Sequence, residues 1–446
     1  MQHHVSRAGE PRSRASHGDR FGRQSATFLV LWLFLVAATP AWPCTTFLTA
    51  SGDAVAVGNS YDWSIGAGLV IINPRGLAKT ALVMPGNTAA EWVSLYGSVT
   101  FNQYGREQPQ SGMNEAGLVV AQMMLGETVY PEADERPAVG ELQWIQYALD
   151  NFDSVSELID AAPGLRIATF YADLHYLACD ASGGCATFEY LDGELVLTSG
   201  ADLVVPTLTN DTYAESVAYL AEHVGFGGEL PIPTSQSSLD RFVRASALAR
   251  AEVAGDLQAA AFSVLDSVYN DSSQWNLVYL PGQSRVAFRT RARPEIRTVD
   301  LSDFDLDCTA EAMMLDIDAE PTGPVGELFE PYSTEANREL VEEVIGSSLP
   351  ELMVGLLATY PEGLTCTLGG EDGGPDGGAD AGADAAPGEP DAGVDADASG
   401  SSPADDGCSC SAAAPRRAGR HLLLWLGAAM GMGPERPWPA RTLVRR

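Results

Sequence analysis

Between Cys44 and Cys366 the chain holds only two histidines, His175 and His223. Hydroxyl and thiol nucleophiles usually rely on an imidazole base, so such machinery would have to use one of these two or do without. His175 lies in the strand-like run Tyr171-Ala-Asp-Leu-His-Tyr-Leu and reads as a hydrogen-bonded sheet residue, and His223, near a helix end, reads as structural. Cys44 offers a route without histidine. If it became residue one of a processed chain, its own α-amino group, with an ordinary pKa of ~7.7–8.0, would accept the thiol proton near neutral pH. The start of the mature chain would then be an activation step.

The residues before Cys44 fit that idea. Arg7, Arg12, Arg14, Arg20 and Arg23 precede an apolar run from Ala26 to Ala38, followed by small residues and prolines up to Pro43. This is the anatomy of an export signal, and the run is short for a membrane span of ~20 residues. Residues 1–43 therefore read as leader. Cleavage after Ala41 would leave Trp42-Pro43 ahead of Cys44, so a second trimming or a self-cleavage step is expected.

Composition then divides the remainder. Residues 44–368 read as one large domain, and 369–407, made of Gly, Ala, Asp, Pro and Ser, as a disordered acidic linker that cannot bury enough surface to offset its ordering entropy. Residues 408–446 carry Cys408-Ser409-Cys410, a short apolar stretch and a basic end, an order that resembles the myxobacterial C-terminal sorting signal and implies surface anchoring. Arg416, Arg417 and Arg420, together with Pro434, Pro437 and Pro439, interrupt that pattern. The whole chain has a formal charge of −34, and residues 44–370 alone carry −32. Such a surface repels phosphate backbones, which excludes nucleic acid as a partner. A single lysine, Lys79, stands beside 25 arginines and says little about chemistry.

Five cysteines fall in the large domain, an odd number for an exported protein, and Cys44 is the natural unpaired one. Cys179 and Cys185 bracket Asp-Ala-Ser-Gly-Gly between two strand-like runs, so a disulfide there would cross a hairpin and leave Cys308 to pair with Cys366. Four cysteines permit three connectivities, and this is the favoured one. No short-spaced ligand pairs suggest zinc, so no metal and no cofactor is expected.

Elements able to position Cys44 alternate in blocks. Strand-like runs at Thr45–Thr49, Ala54–Gly58, Leu69–Asn73, Val99–Asn102 and Leu118–Met123 are followed by helical patterns at Val139–Asn151 and Ser154–Ala162. Strands resume at Ala168–Leu177, Thr187–Leu191, Glu194–Leu197 and Val204–Thr209; helices follow at Tyr213–His223, Leu239–Val253 and Leu257–Val268, then a hairpin, Trp275–Leu280 with Arg285–Thr290. Blocks of strands alternating with blocks of helices favour a layered α+β sandwich over a doubly wound parallel sheet.

Five motifs in order and spacing carry a resemblance: Cys44-Thr-Thr-Phe-Leu, Gly58-Asn-Ser-Tyr-Asp62-Trp63, Ser111-Gly-Met-Asn-Glu-Ala-Gly-Leu-Val119, Leu208-Thr-Asn210 and Ser238-Leu-Asp-Arg241-Phe-Val-Arg. Over roughly Cys44 to Arg291 the chain resembles the choloylglycine hydrolase/penicillin V acylase family of N-terminal-nucleophile hydrolases. The resemblance implies a four-layer αββα sandwich and cleavage of a linear, non-peptide C–N amide through an acyl-thioester. Carried over by position, it makes Cys44 the nucleophile and Asp62 the carboxylate that orients the freed amine. Asn210 becomes the side-chain donor of the oxyanion hole and Arg241 the cation beside the sulfur.

Two positions depart from the family pattern. Asn59 stands where many members place an arginine, and Met124 stands where bile-salt hydrolases place a second oxyanion asparagine, so a backbone N–H has to serve there. Bile salts are thus disfavoured. A small-molecule N-acyl amide with an apolar acyl group is expected instead, either penicillin V-like or an N-acyl homoserine lactone, with Trp63, Met124 and Trp92 as candidate lining residues. Two rivals stand beside this reading: a cysteine-nucleophile dipeptidase on the same fold, and a surface lipoprotein that binds without catalysis. Family membership also leaves a homo-oligomer open.

Overall fold

The computed structural model describes residues 43–346 and 351–367. The leader up to residue 42, the acidic linker and the basic tail lie outside the described residues. Two large sheets face one another. The first has seven strands in the order Thr207–Leu208, β1 (Thr45–Ser51), β2 (Ala54–Asp62), Ser273–Leu280, Arg285–Thr290, Arg297–Asp300 and Gly323–Pro324. The second has nine: Glu194–Ser199, Cys185–Leu191, Leu174–Cys179, Val119–Met124, Pro109–Asn114, Ser98–Asn102, Leu69–Asn73, Met313–Asp316 and Glu330–Pro331.

Helices α1 (Gln143–Asn151) and α2 (Val155–Ala161) pack on the outer face of the nine-stranded sheet. Helices α3 (Tyr213–Leu220), α4 (Ser238–Ala249) and α5 (Leu257–Val268) follow in the chain; α4 and α5 cover the outer face of the other sheet, and α3 packs against α4. This is the four-layer αββα sandwich expected from the motifs. Strand alternation explains the layering. Along β1 and β2, Leu48, Val55, Val57 and Tyr61 point between the sheets, whereas Phe47 and Ala56 point to α4 and α5. Gly58 is needed at the crossing: a Cβ there would sit 2.3 Å from the Phe47 ring.

Capping residues set the helix starts. Ser154, Thr212 and Ser237 each accept from a backbone N–H in the first turn of α2, α3 and α4. Cys179–Cys185 and Cys308–Cys366 are disulfides, and Cys44 is the free cysteine among the described residues.

Two differences from the sequence reading have local causes. The strand expected over Ala168–Leu177 starts only at Leu174, because the buried Glu141 carboxylate accepts from the N–H groups of Phe170, Tyr171 and Ala172 and holds a loop. The helix expected from Val139 starts at Gln143, since Ala138–Val139 pairs in parallel with Arg166–Ile167. Helices α6 (Thr334–Ile345) and α7 (Glu351–Thr359) were not read from the sequence; α6 rests its Leu340 against Leu69 and Ile71 on the outer face of the nine-stranded sheet. Among the described residues no helix is long and apolar enough to cross a membrane.

Candidate active site

Cys44 stands immediately before β1, its side chain in the apolar cluster between the sheets and its residue 1% exposed. It is still joined to Pro43, so its nitrogen is an amide in this chain. The thiol lies 3.9 Å from the carbonyl oxygen of Asp62, the last residue of the antiparallel neighbour β2. Burial pushes the thiol pKa from 9.0 up to about 12, with the Asp62 charge adding to the rise. Backbone hydrogen bonding at Asp62 and Met124 and the charge of Arg241 pull the other way.

The Asp62 side chain turns to the helix side of the sheet, where Ser60 donates to Oδ1 at 2.7 Å and Asn270 donates to Oδ2 at 2.8 Å. Burial raises its pKa, opposed by hydrogen bonds from Ser273, Ser60 and Asn270 and by Arg241. Each donor favours the carboxylate and fixes its direction. Sequence reasoning missed Ser60, Ser273 and Asn270. Ser60 sits inside a motif already singled out, but Asn270 lies on a loop and Ser273 at the start of a strand more than 200 positions away, with no periodic signal.

Arg241 comes from α4 and is fully buried. Its Nη1 donates to the Cys44 carbonyl and, at 2.6 Å, to Thr45 Oγ1; Nη2 donates to Asn210 Oδ1 at 2.8 Å. Burial lowers the guanidinium pKa, and the nearby Asp62 and Cys44 raise it back. Because Arg241 occupies Oδ1 of Asn210, the carboxamide is oriented with its NH2 turned away from the guanidinium, and Nδ2 donates to the Met124 carbonyl at 2.9 Å. A donor held in this way, close to a nucleophile, suits a developing oxyanion.

The four residues read as catalytic thus converge, brought by β1, β2, the segment after Thr207–Leu208, and α4. The lining residues divide. Trp63 is held beside them, its N–H on the Ser272 carbonyl at 2.8 Å and its ring stacked on Tyr61 at 6.4 Å between centroids. Met124 presents its backbone to Cys44 and Asn210, whereas its side chain packs on the cluster around α1. Trp92 is not part of this site. Its strand, Glu91–Val93, pairs with Leu77–Thr80 in a small separate sheet, and its indole donates to Asp150 Oδ2 at 2.7 Å within the α1 cluster. The apolar pattern that suggested a pocket wall there was a core aromatic.

Asn59 also takes a structural place: it donates to Thr46 Oγ1 at 2.8 Å and accepts from Ser111 Oγ at 3.3 Å, tying β1 and β2 to the facing sheet. A cavity of about 200 Å3 lined by Ser273, Asn276, Arg289 and Arg291 lies on the helix side, behind Asp62. The thiol faces the opposite way, so an acyl group would not approach it from there. Among the described residues no group of three or more His, Cys, Asp or Glu side chains is arranged to hold a metal ion.

A penicillin V acylase of Pectobacterium atrosepticum is 30% identical over 177 residues, which cover 36% of this chain and 47% of that protein, about half its length. The structure of penicillin V acylase from Agrobacterium tumefaciens superposes with a TM-score of 0.59 at 29% identity, covering 65% of this chain and 98% of that one. A conjugated bile acid hydrolase from Clostridium perfringens shares the fold, with a TM-score of 0.51 at 17% identity over 63% of this chain and 98% of that one. The family described as linear amide C–N hydrolases, choloylglycine hydrolase family, matches residues 44–314, more than half of the sequence and the whole of the site described above. This chain belongs to the choloylglycine hydrolase family, described as linear amide C–N hydrolases.

Proposed function

We propose that this protein is an exported cysteine N-terminal-nucleophile hydrolase that cleaves the amide of a small N-acyl substrate through an acyl-thioester on Cys44. The observation that carries the reading is the convergence of thiol, guanidinium, carboxylate and carboxamide at the start of β1. Burial holds the Cys44 thiol protonated in the uncleaved chain, so the reading needs a base close to the sulfur. Cleavage of the Pro43–Cys44 bond would convert the Cys44 nitrogen from an amide to a base. That amine takes the thiol proton as sulfur attacks the substrate carbonyl, and Asn210 Nδ2 and the backbone at Met124 stabilise the oxyanion. The ammonium then protonates the departing amine, and water, activated by the same α-amine, hydrolyses the thioester. Asp62 and Arg241 orient the strand end and the donor.

Penicillin V-like amides or N-acyl homoserine lactones are the proposed substrates. Support comes from the two penicillin V acylase relatives and from Tyr61 and Trp63, which put stacked aromatic surface on the apolar cluster that holds Cys44. Export is supported by the leader pattern and by two disulfides, and surface anchoring by the tail pattern. The test is to incubate processed protein with an N-acyl amide panel and measure intact mass. Acyl mass on Cys44, absent in Cys44→Ala, is expected; turnover that survives Cys44→Ala would end the proposal.

A further inference from the structure

We propose that His175, working with Glu189, is a positioning residue that sets the orientation of Asn210; the proposal rests on the reading of Asn210 as oxyanion donor. His175 is fully buried on the strand Leu174–Cys179, next to the strand that ends at Met124. Its Nε2 lies 2.8 Å from the carbonyl oxygen of Thr209, and its Nδ1 lies 3.1 Å from Oε1 of Glu189, itself buried.

The carbonyl of Thr209 and the N–H of Asn210 belong to one peptide unit. Ser238 Oγ accepts from that N–H at 2.8 Å and bonds Thr209 Oγ1 at 3.0 Å. The peptide plane leading into Asn210 is therefore gripped at both polar ends, by His175 from the nine-stranded sheet and by Ser238 from α4. Arg241 and the Met124 carbonyl then fix the carboxamide beyond it. Without the histidine, the peptide carbonyl loses the partner that holds it against rotation, and the donor loses its aim.

A carbonyl oxygen only accepts, so the ring nitrogen facing Thr209 is one that carries a hydrogen. Glu189, on the neighbouring strand, holds the other ring nitrogen at 3.1 Å and accepts from the N–H of Tyr213 at 2.9 Å, so the ring is fixed in direction from both sides.

The experiment compares His175→Leu, His175→Gln, Glu189→Gln and Cys44→Ala in processed protein, with penicillin V as probe. Leucine removes the donor and should lower kcat about 10- to 100-fold at nearly unchanged KM, less than the ~10²–10³ expected for losing an oxyanion donor outright. Glutamine at 175 can still donate to Thr209 and should restore most of kcat. Glu189→Gln can still accept from the Tyr213 N–H and bond Nδ1 through its amide, so it should keep most of kcat. Wild-type kcat in both His175 variants, or a lowered Tm with unchanged kcat per folded molecule, overturns the proposal while leaving an inactive Cys44→Ala to uphold the nucleophile. Turnover by Cys44→Ala, or none by wild type, overturns both.

Discussion

Two buried polar clusters in this molecule make opposite use of charge. Around Lys79, the single lysine, Nζ lies 2.7 Å from Glu107 and 2.9 Å from Asp150. Asp150 also accepts from Trp92 at 2.7 Å and Gln146 at 2.9 Å, and Arg106 stands 3.8 Å from Glu107. Two cations offset two carboxylates, so the cluster is closed in charge, although Glu107 Oε1 is left without a hydrogen-bond partner. Around Cys44, by contrast, the thiol has one long contact to a carbonyl, and Asn210 gives its NH2 hydrogen to a main-chain oxygen. Burial raises the pKa of thiol and carboxylate alike and lowers that of the guanidinium. A closed cluster holds the helix α1 layer to the small sheet. An open one leaves the thiol with a single long contact.

The comparison can be broken first at Lys79. Lys79→Ala leaves Glu107 and Asp150 buried without their cation and should cost about 3–5 kcal/mol of stability. Chemical denaturation should show that loss, while kcat/KM of the protein still folded at low temperature stays near wild type. A comparable loss of activity would mean that the two clusters are not separate in function.

Asn210→Ala tests the open cluster from the other side. It should lower kcat by about 10²–10³ with little change in KM, about 2.7–4 kcal/mol of barrier, and its melting shift should be smaller than that of Lys79→Ala. A KM effect without a kcat effect would reassign Asn210 to substrate binding.

The smallest effect is on pH. In the uncleaved chain the Cys44 thiol is raised from 9.0 to about 12, so the fold favours the protonated form. Its stabilising contribution is complete below pH 9 and is lost as pH rises through about 12. Tm of the uncleaved chain should therefore fall more steeply above pH 9 than that of uncleaved Cys44→Ala. Parallel curves would show that the thiol is not held protonated by its surroundings.

Much of this was legible in the sequence because it rests on local rules. The helical pattern read over Ser154–Ala162 is close to α2, the span Leu257–Val268 was read as observed for α5, and an odd cysteine count left Cys44 unpaired. Other features were not legible. Glu141 breaks a strand by capturing three N–H groups about 30 residues away, and Trp92 has the composition of a pocket wall but the contacts of a core residue. Asn270 reaches Asp62 across 208 positions. In each case the outcome depends on which side chains meet after folding, and no periodicity records that.

From residue types and order alone came a candidate nucleophile that needs no histidine, the layered α+β class, a favoured pairing of Cys179 with Cys185 and Cys308 with Cys366 among three possible, and the family resemblance. Periodicity, turn chemistry and parity are properties of the chain itself. Tertiary structure decided which atoms meet. It turned the side chain of Met124 away while bringing its backbone to the thiol, removed Trp92 to another cluster, and placed Ser60, Ser273 and Asn270 on Asp62. It also set His175 and Ser238 on either end of one peptide bond. Those outcomes follow from strand register and sheet-on-sheet packing, which join residues far apart in the chain and fix the face each presents.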